Sequence, residues 1–285
     1  GTLVPVIGLV QAGWVAMADR FTYIPSLGVL MLTVWSGCEL SRQWRHQVMV
    51  LSVAGGLAIA VCVGLTRQQL GYWQDTEILF RHALAVTKDN YLAHNNLGSI
   101  LALKGHADEA ISQYREAIRL KPNYASAHYN LGTAFGMKGR TDEALGEFQE
   151  TIRLKPDDAK AHYNLGVAYS MKGRADEAIG QYQEALRLKP DYGEACYNLG
   201  VALGMKGRIS EAISQLQEAV RLVPDDAEAH NNLGTALGMK GRMDEAISQY
   251  QEALRLKPDF ADARNNLARM LAIQSARRAA DSNPR

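Results

Sequence analysis

Residues 159–192 read AKAHYNLGVAYSMKGRADEAIGQYQEALRLKPDY, and this pattern returns every 34 positions along the chain. Prolines mark the period at Pro122, Pro156, Pro190, Pro224 and Pro258. Each unit holds two segments with apolar residues at helical spacing. A glycine such as Gly173 separates the segments, and the proline ends the second one. Because one such unit cannot bury its apolar side chains alone, the repeat predicts stacked helix pairs, an all-α solenoid.

The repeat resembles the tetratricopeptide repeat (TPR) pattern. Five full repeats run 91–124, 125–158, 159–192, 193–226 and 227–260. Residues 261–274 add a capping helix, so the array covers 91–274, and residues 73–90 match half a repeat with Lys88 in place of the proline. The resemblance implies a right-handed superhelix whose concave groove is lined by the first helix of each repeat.

Polar side chains recur in these first helices. The sixth residue of every repeat is asparagine: Asn96, Asn130, Asn164, Asn198, Asn232 and Asn266. The fifth is tyrosine in three repeats: Tyr129, Tyr163 and Tyr197. An asparagine amide both donates and accepts hydrogen bonds, so a row of them can pair with a polypeptide backbone of any sequence. The row resembles the asparagine ladder of O-linked N-acetylglucosamine transferase. We therefore expect it to bind an extended peptide; the alternative is that asparagine is only the consensus residue there.

Three further series follow the same period. The thirteenth residues are apolar, and we expect them to pack within the array, with an adaptable contact surface as the alternative: Leu103, Met137, Met171, Met205, Met239 and Ile273. The lysines that follow them at 104, 138, 172, 206 and 240 are expected to form a solvated edge. Four histidines and one cysteine recur as His94, His128, His162, Cys196 and His230. Equivalent helices lie too far apart for these residues to share an ion, so we interpret them as packing residues.

Composition and motifs exclude several kinds of function. The 31 Lys and Arg residues against 30 Asp and Glu leave a net charge of +1, which argues against a basic nucleic-acid-binding arm and against an acidic tail. The three cysteines fit neither a disulfide framework nor a zinc motif. No catalytic motif or phosphate-binding loop is present. We therefore predict no catalytic residue, metal or cofactor in this chain, and no nucleic-acid partner.

Residues 1–67 are predominantly apolar. The runs 21–38 and 48–65 each contain 18 residues without a formal charge, which is close to the length that spans a bilayer. The short loop between them carries Arg42 and Arg45, which favours the cytoplasmic side. We therefore predict a transmembrane hairpin in a bacterial inner membrane, with the array on the periplasmic side. The alternative is a buried hairpin in a soluble core.

The stretch ADRFTYIPSLG, Ala18 to Gly28, precedes this hairpin, and WQDTEILFRHAL begins at Trp73. Their order, followed by the repeats, resembles the C-terminal part of the transmembrane-and-TPR O-mannosyltransferases. The resemblance implies a glycosyltransferase that uses a polyprenyl-phosphate sugar, although the family's catalytic acidic loop has no counterpart here. Because the chain begins with Gly1, we expect a fragment or a processed product. Three functions remain open: a membrane-anchored peptide-binding module, the C-terminal part of such an enzyme, and a soluble cytosolic adaptor. The tail 275–285 is predicted to be disordered.

Overall fold

The computed structural model describes Ser36, Glu39, Arg42, residues 46–73 and residues 75–282. The predicted membrane helix at 21–38 and the Ala18–Gly28 motif lie outside these residues, apart from Ser36. The helices form two compact units that divide between Ala134 and Phe135.

The first unit contains α1 (Gln47–Trp73), α2 (Thr76–Val86), α3 (Tyr91–Leu103), α4 (Ala107–Leu120) and most of α5 (Ala125–Met137). Helix α2 packs against α1 and α3, and α3 packs against α4. Helix α2 occupies the predicted half repeat at 73–90. Its first turn is capped by the Asp75 carboxylate, which accepts a hydrogen bond from the Glu77 amide at 2.6 Å.

The second unit contains the end of α5 and eight further helices. These are α6 (Thr141–Leu154), α7 (Ala159–Met171), α8 (Ala175–Leu188), α9 (Gly193–Met205), α10 (Ile209–Leu222), α11 (Ala227–Met239), α12 (Met243–Leu256) and α13 (Ala261–Ser282). From α6 onwards each helix packs against the next one along the chain. The described residues therefore confirm the all-α, TPR solenoid-like fold predicted from the 34-residue period.

The two helices of a repeat approach closely because one of them carries a glycine at the contact. A Cβ atom added at Gly166 of α7 would lie 2.7 Å from ring carbons of Tyr182 in α8. The turn between these helices requires a second glycine, since Gly173 has a φ of 71°, a conformation that other residues rarely adopt. The second helices are amphipathic, with acidic residues such as Asp176 in the first turn and an arginine in the last, as the helix dipole favours.

The two ends of the chain differ from what the sequence predicts. Among the described residues, no helix is both long enough and apolar enough to cross a membrane. The predicted second membrane helix at 48–65 is part of α1, which continues through the polar residues Thr66 to Gln69. The predicted hairpin is thus unsupported. At the other end, α13 continues past residue 274 to Ser282. The tail predicted to be disordered from Ser275 is helical to that point, because alanines and arginines favour a helix and the stretch from Ser275 to Asn283 contains neither Gly nor Pro.

Candidate peptide-binding face

Three of the first helices, α3, α7 and α11, are fixed at their N-termini by capping side chains, whereas the N-cap residue of α9 forms no side-chain capping bond. In α7 the Asp158 carboxylate accepts hydrogen bonds from the backbone amides of Lys160, at 3.1 Å, and Ala161, at 3.2 Å. Asp226 caps α11 in the same way. A capped first turn holds the fifth and sixth residues of the repeat in a defined orientation.

The predicted asparagines and tyrosines connect successive repeats. In the second unit the amide of Asn198 donates to the hydroxyl of Tyr163 at 2.9 Å, and that of Asn232 donates to Tyr197 at 2.9 Å. The amide of Asn266 donates to the side-chain oxygen of Asn231 at 3.1 Å. The sixth residue of one repeat thus binds the fifth residue of the repeat before it.

The same contact occurs within the first unit. The amide of Asn130 donates to the side-chain oxygen of Asn95 at 3.0 Å, and Asn95 in turn donates to Asn96 at 3.4 Å. Asn164 and Tyr129 are half-buried, like the other members of the predicted set. Sequence reasoning found these residues but missed their mutual contacts, although a sixth residue always stands 35 positions after the preceding fifth residue.

Each contact leaves hydrogen-bonding capacity unused. Asn198, Asn232 and Asn266 are half-buried, and within the described part of the chain their side-chain oxygens accept no hydrogen bond. Burial raises the pKa of Tyr163 and of Tyr197, so both phenols stay protonated at neutral pH. Each phenol oxygen accepts from an asparagine and keeps its own O–H to donate. In each pair the asparagine side-chain oxygen, an acceptor, and the tyrosine hydroxyl, a donor, therefore lie next to each other in a fixed orientation.

Carboxylates lie near these tyrosines. Besides burial, the negative charge of Glu194 raises the pKa of Tyr163. Glu228 and Asp226 contribute in the same direction to the raised pKa of Tyr197. The part of the asparagine row in the second unit is therefore bordered by negative charge.

The thirteenth residues of the repeats are exposed, so the prediction that they pack within the array is wrong. Met205 is 80% exposed and Met137 is 77% exposed. Each stands at the C-terminal end of a first helix, where the chain turns away through a glycine. The methionines consequently add apolar surface next to the turns between paired helices.

The lysines beside them do more than form a solvated edge. Lys206 Nζ lies 2.9 Å from a carboxylate oxygen of Asp176 in the preceding repeat, and Lys172 forms the corresponding ion pair with Asp142. In the first unit Lys104 pairs with Glu77 at 2.7 Å, and this partner and Arg81 lower the pKa of Glu77 to about 2. These pairs connect neighbouring repeats near the turns.

The recurring histidines bridge helices. Nε2 of His162 donates to the carbonyl of Pro156 at 3.0 Å, and Nδ1 lies 2.8 Å from Oε1 of Gln181 in the paired helix. His230 makes the same two contacts, at 3.1 Å to Pro224 and 2.7 Å to Gln249. The described residues contain no group of His, Cys, Asp and Glu side chains that could hold a metal ion.

Comparisons with known proteins agree with this architecture. A family model described as tetratricopeptide repeat matches residues 129–193, 197–259 and 240–284, and a second model, described as TPR repeat, matches residues 98–139. Over 98 residues the chain is 32% identical to protein O-mannosyl-transferase TMTC4 of Homo sapiens, which is 34% of this chain but only 13% of the human protein.

Two solved structures are similar over most of their own length. YrrB, described as a TPR protein with an unusual peptide-binding site, aligns with a TM-score of 0.59 and 24% identity over 65% of this chain and 96% of its own. MamA aligns with a TM-score of 0.54 and 28% identity over 58% of this chain and 96% of its own. At its level of identity, the likeness to YrrB shows a shared fold alone.

Proposed function

The chain belongs to the tetratricopeptide repeat family of protein-protein interaction modules, and we propose that it binds an extended polypeptide along the asparagines and tyrosines of its first helices. One observation carries the proposal. In the second unit, asparagines are held by one amide N–H while their side-chain oxygens have no partner among the described residues.

The chemistry of this row matches a peptide backbone. Each peptide unit offers one N–H donor and one C=O acceptor. The oxygen of Asn198 can accept the N–H, and the hydroxyl of Tyr163 can donate to the C=O. Because the contact between the two side chains already fixes their orientation, binding costs less side-chain entropy than it would with mobile groups.

The border of negative charge favours one class of polypeptide. Glu194 and Glu228 are exposed on the first helices next to the tyrosines. A segment with lysine or arginine side chains gains attraction there, and salt weakens that attraction. We therefore propose a basic, extended segment as the ligand, with backbone hydrogen bonds providing the sequence-tolerant part of the affinity.

The test replaces the acceptors. We select the strongest binder to the full chain from a library of flexible 15-residue peptides, and we measure its affinity for Asn198→Ala/Asn232→Ala by calorimetry. Loss of two hydrogen bonds, at about 1 kcal/mol each, should weaken binding roughly 30-fold. Gln251→Ala, an exposed change on the second helix α12, is the matched control and should bind as the parent does. Unchanged affinity of the double variant, with helicity retained, would contradict the proposal.

A second candidate is that the chain is part of a protein glycosyltransferase that uses a polyprenyl-phosphate sugar, with the repeats recruiting the acceptor protein. Its support is the 32% identity to protein O-mannosyl-transferase TMTC4 over 98 residues, together with the order of motifs before the repeats. Sequencing the gene upstream of Gly1 tests it. Several further apolar spans and an acidic loop would favour the enzyme, and a start codon near Gly1 would exclude it.

We also propose that the chain is anchored in a membrane and that its repeats lie in the periplasm, and both candidate functions include this placement. Exposed apolar side chains on α1, such as Val48 and Ile59, support the anchor. Protease added to intact spheroplasts should then digest the repeats. Digestion only after lysis would contradict the periplasmic position.

A further inference from the structure

The repeat at 193–226 lacks the imidazole that bridges the helices in its neighbours. Cys196 stands where His162 and His230 stand in the repeats on either side. Its side chain is buried, with 1% exposure, and is too short to reach the partners that those histidines contact. The two equivalent partners, the carbonyl of Pro190 and the side chain of Gln215, are nevertheless present.

A cavity of about 360 Å³ opens at this place. Its walls include Cys196, Pro190 and Gln215, with Leu186, Leu199 and Leu203 among its apolar residues. The volume falls within the range of about 300 to 1,000 Å³ that is typical of small-molecule sites. It also exceeds what a single five-membered ring requires.

Two polar groups of this cavity, the Pro190 carbonyl and the Gln215 side chain, are equivalent to groups that hold a ring elsewhere in the molecule, and Gln183, Glu211, Ser214 and Glu218 line the cavity as well. In the neighbouring repeats the proline carbonyl accepts from Nε2 at 3.0 and 3.1 Å, and the glutamine contacts Nδ1 at 2.8 and 2.7 Å. Within the described part of the chain, the Pro190 carbonyl and the Gln215 side chain have no hydrogen-bond partner. The repeat therefore retains the acceptor and the amide that contact the two ring nitrogens in the neighbouring repeats, with the ring itself missing.

We propose that this cavity, defined here as the Cys196 pocket, binds an imidazole ring. One ring nitrogen donates to the Pro190 carbonyl and the other pairs with the Gln215 amide, while the ring faces pack against leucine side chains. The ring can come from a free small imidazole or from the histidine side chain of a polypeptide, because both present the same two nitrogens.

The Cys196 thiol contributes space rather than reactivity. Burial raises the pKa of this thiol to about 11, so it stays protonated and weakly nucleophilic at neutral pH. Binding in the pocket therefore involves no covalent step.

The test titrates the full chain with imidazole and follows backbone amide chemical shifts by NMR. We expect saturable shifts at Cys196 and Gln215 with a dissociation constant on the order of millimolar, as befits so small a ligand. Cys196→His places a tethered ring in the pocket and should abolish the saturable shifts while raising the melting temperature.

A reciprocal variant keeps the test decisive if Cys196→His perturbs folding. His162→Cys removes the ring from the repeat at 159–192 and should create a second site, seen as new saturable shifts at Gln181. N-acetyl-histidine amide, titrated in parallel, distinguishes the two sources of the ring: binding shows that a peptide-borne histidine fits, and its failure alone restricts the site to free imidazoles. Absence of saturable shifts with both probes, or their persistence in Cys196→His, would overturn the proposal.

Discussion

The repeat at 193–226 and the flanking repeats at 159–192 and 227–260 use the same backbone with different side chains between the paired helices. In the flanking repeats a tyrosine, Tyr182 or Tyr250, packs against the glycine of the first helix. In the repeat at 193–226 the group is Leu216, and a Cβ atom added at Gly200 would lie 2.6 Å from its Cγ. The close approach persists although the filling residue changes, so we infer that the glycine, rather than the aromatic ring, sets the separation of the helices.

The largest expected loss of stability follows from replacing the glycines at these helix contacts by alanine, and it tests this inference. Gly166→Ala and Gly200→Ala should each lower the free energy of unfolding by about 2 kcal/mol, because a Cβ atom would overlap Tyr182 or Leu216 and force the helices apart. Chemical denaturation of each variant measures this loss.

The control for these variants lies on the exposed side of α8. A Cβ atom at Gly180 meets no other atom within 4 Å, so Gly180→Ala should stabilise the protein by about 0.5–1 kcal/mol through its higher helix propensity. If Gly200→Ala were tolerated and Gly166→Ala were not, the aromatic ring would set the separation of the helices, and the inference that the glycine sets it would be wrong.

A smaller effect concerns the buried thiol that replaces a histidine. The pKa of Cys196 is raised by burial to about 11. A group whose pKa is higher in the folded state stabilises the fold below its unfolded pKa, and this contribution is lost as the pH rises through the interval between the two values. Between pH 8 and pH 10 the parent should therefore lose about 1 kcal/mol more stability than Cys196→Ser, which has no thiol to ionise.

Urea denaturation at the two pH values, with both proteins compared at each, isolates this difference from the titration of lysines and tyrosines. The other two cysteines of the sequence, Cys38 and Cys62, are common to both proteins and cancel in the comparison. If the free energies of unfolding of the two proteins changed in parallel with pH, the thiol would be solvated in the folded protein. Water would then reach the Cys196 pocket as far as the thiol.

The period of the sequence predicted most of the fold, and it did so for a physical reason. Apolar residues at helical spacing, a glycine at the turn and a proline after the second helix are local signals, and they placed the helix pairs from α3 to α12. The contacts between repeats were less accessible. The hydrogen bond from Asn198 to Tyr163 joins residues 35 positions apart, and only the packing of two helices brings them together.

Two misjudged features show where local patterns fail. Met205 was expected to pack because it is apolar and periodic, yet it stands at a helix end that no other described helix covers. Lys206 was expected to be solvated because it is charged, yet the preceding repeat presents Asp176 to it. In both cases the neighbouring repeat decides the environment, and a single unit read alone carries no such information. The cavity beside Cys196 was missed for the same reason.

The smallest expected change in stability concerns an ion pair between neighbouring repeats that Ser210 of the repeat at 193–226 cannot form. Lys206 pairs with Asp176, whereas Lys240 meets Ser210 in the equivalent position, with Nζ 2.8 Å from the hydroxyl. Ser210→Asp should stabilise the protein by about 0.5–1 kcal/mol. The new carboxylate gains Lys240 as an exposed partner and lies in the first turn of α10, where the helix dipole favours negative charge.

The reciprocal change supplies the control, since Asp176→Ser removes the same two interactions from the repeat at 159–192 and should cost a similar amount. Both effects should shrink between 0.05 and 1 M salt, because exposed charges are screened over a shorter distance at high ionic strength. A gain from Ser210→Asp that salt leaves unchanged would assign the effect to hydrogen bonding at the start of α10 rather than to the pairing of charges between repeats. The packing of the helices would then hold neighbouring repeats together near their turns, and the ion pairs between lysine and aspartate of neighbouring repeats would contribute little to the stability of the array.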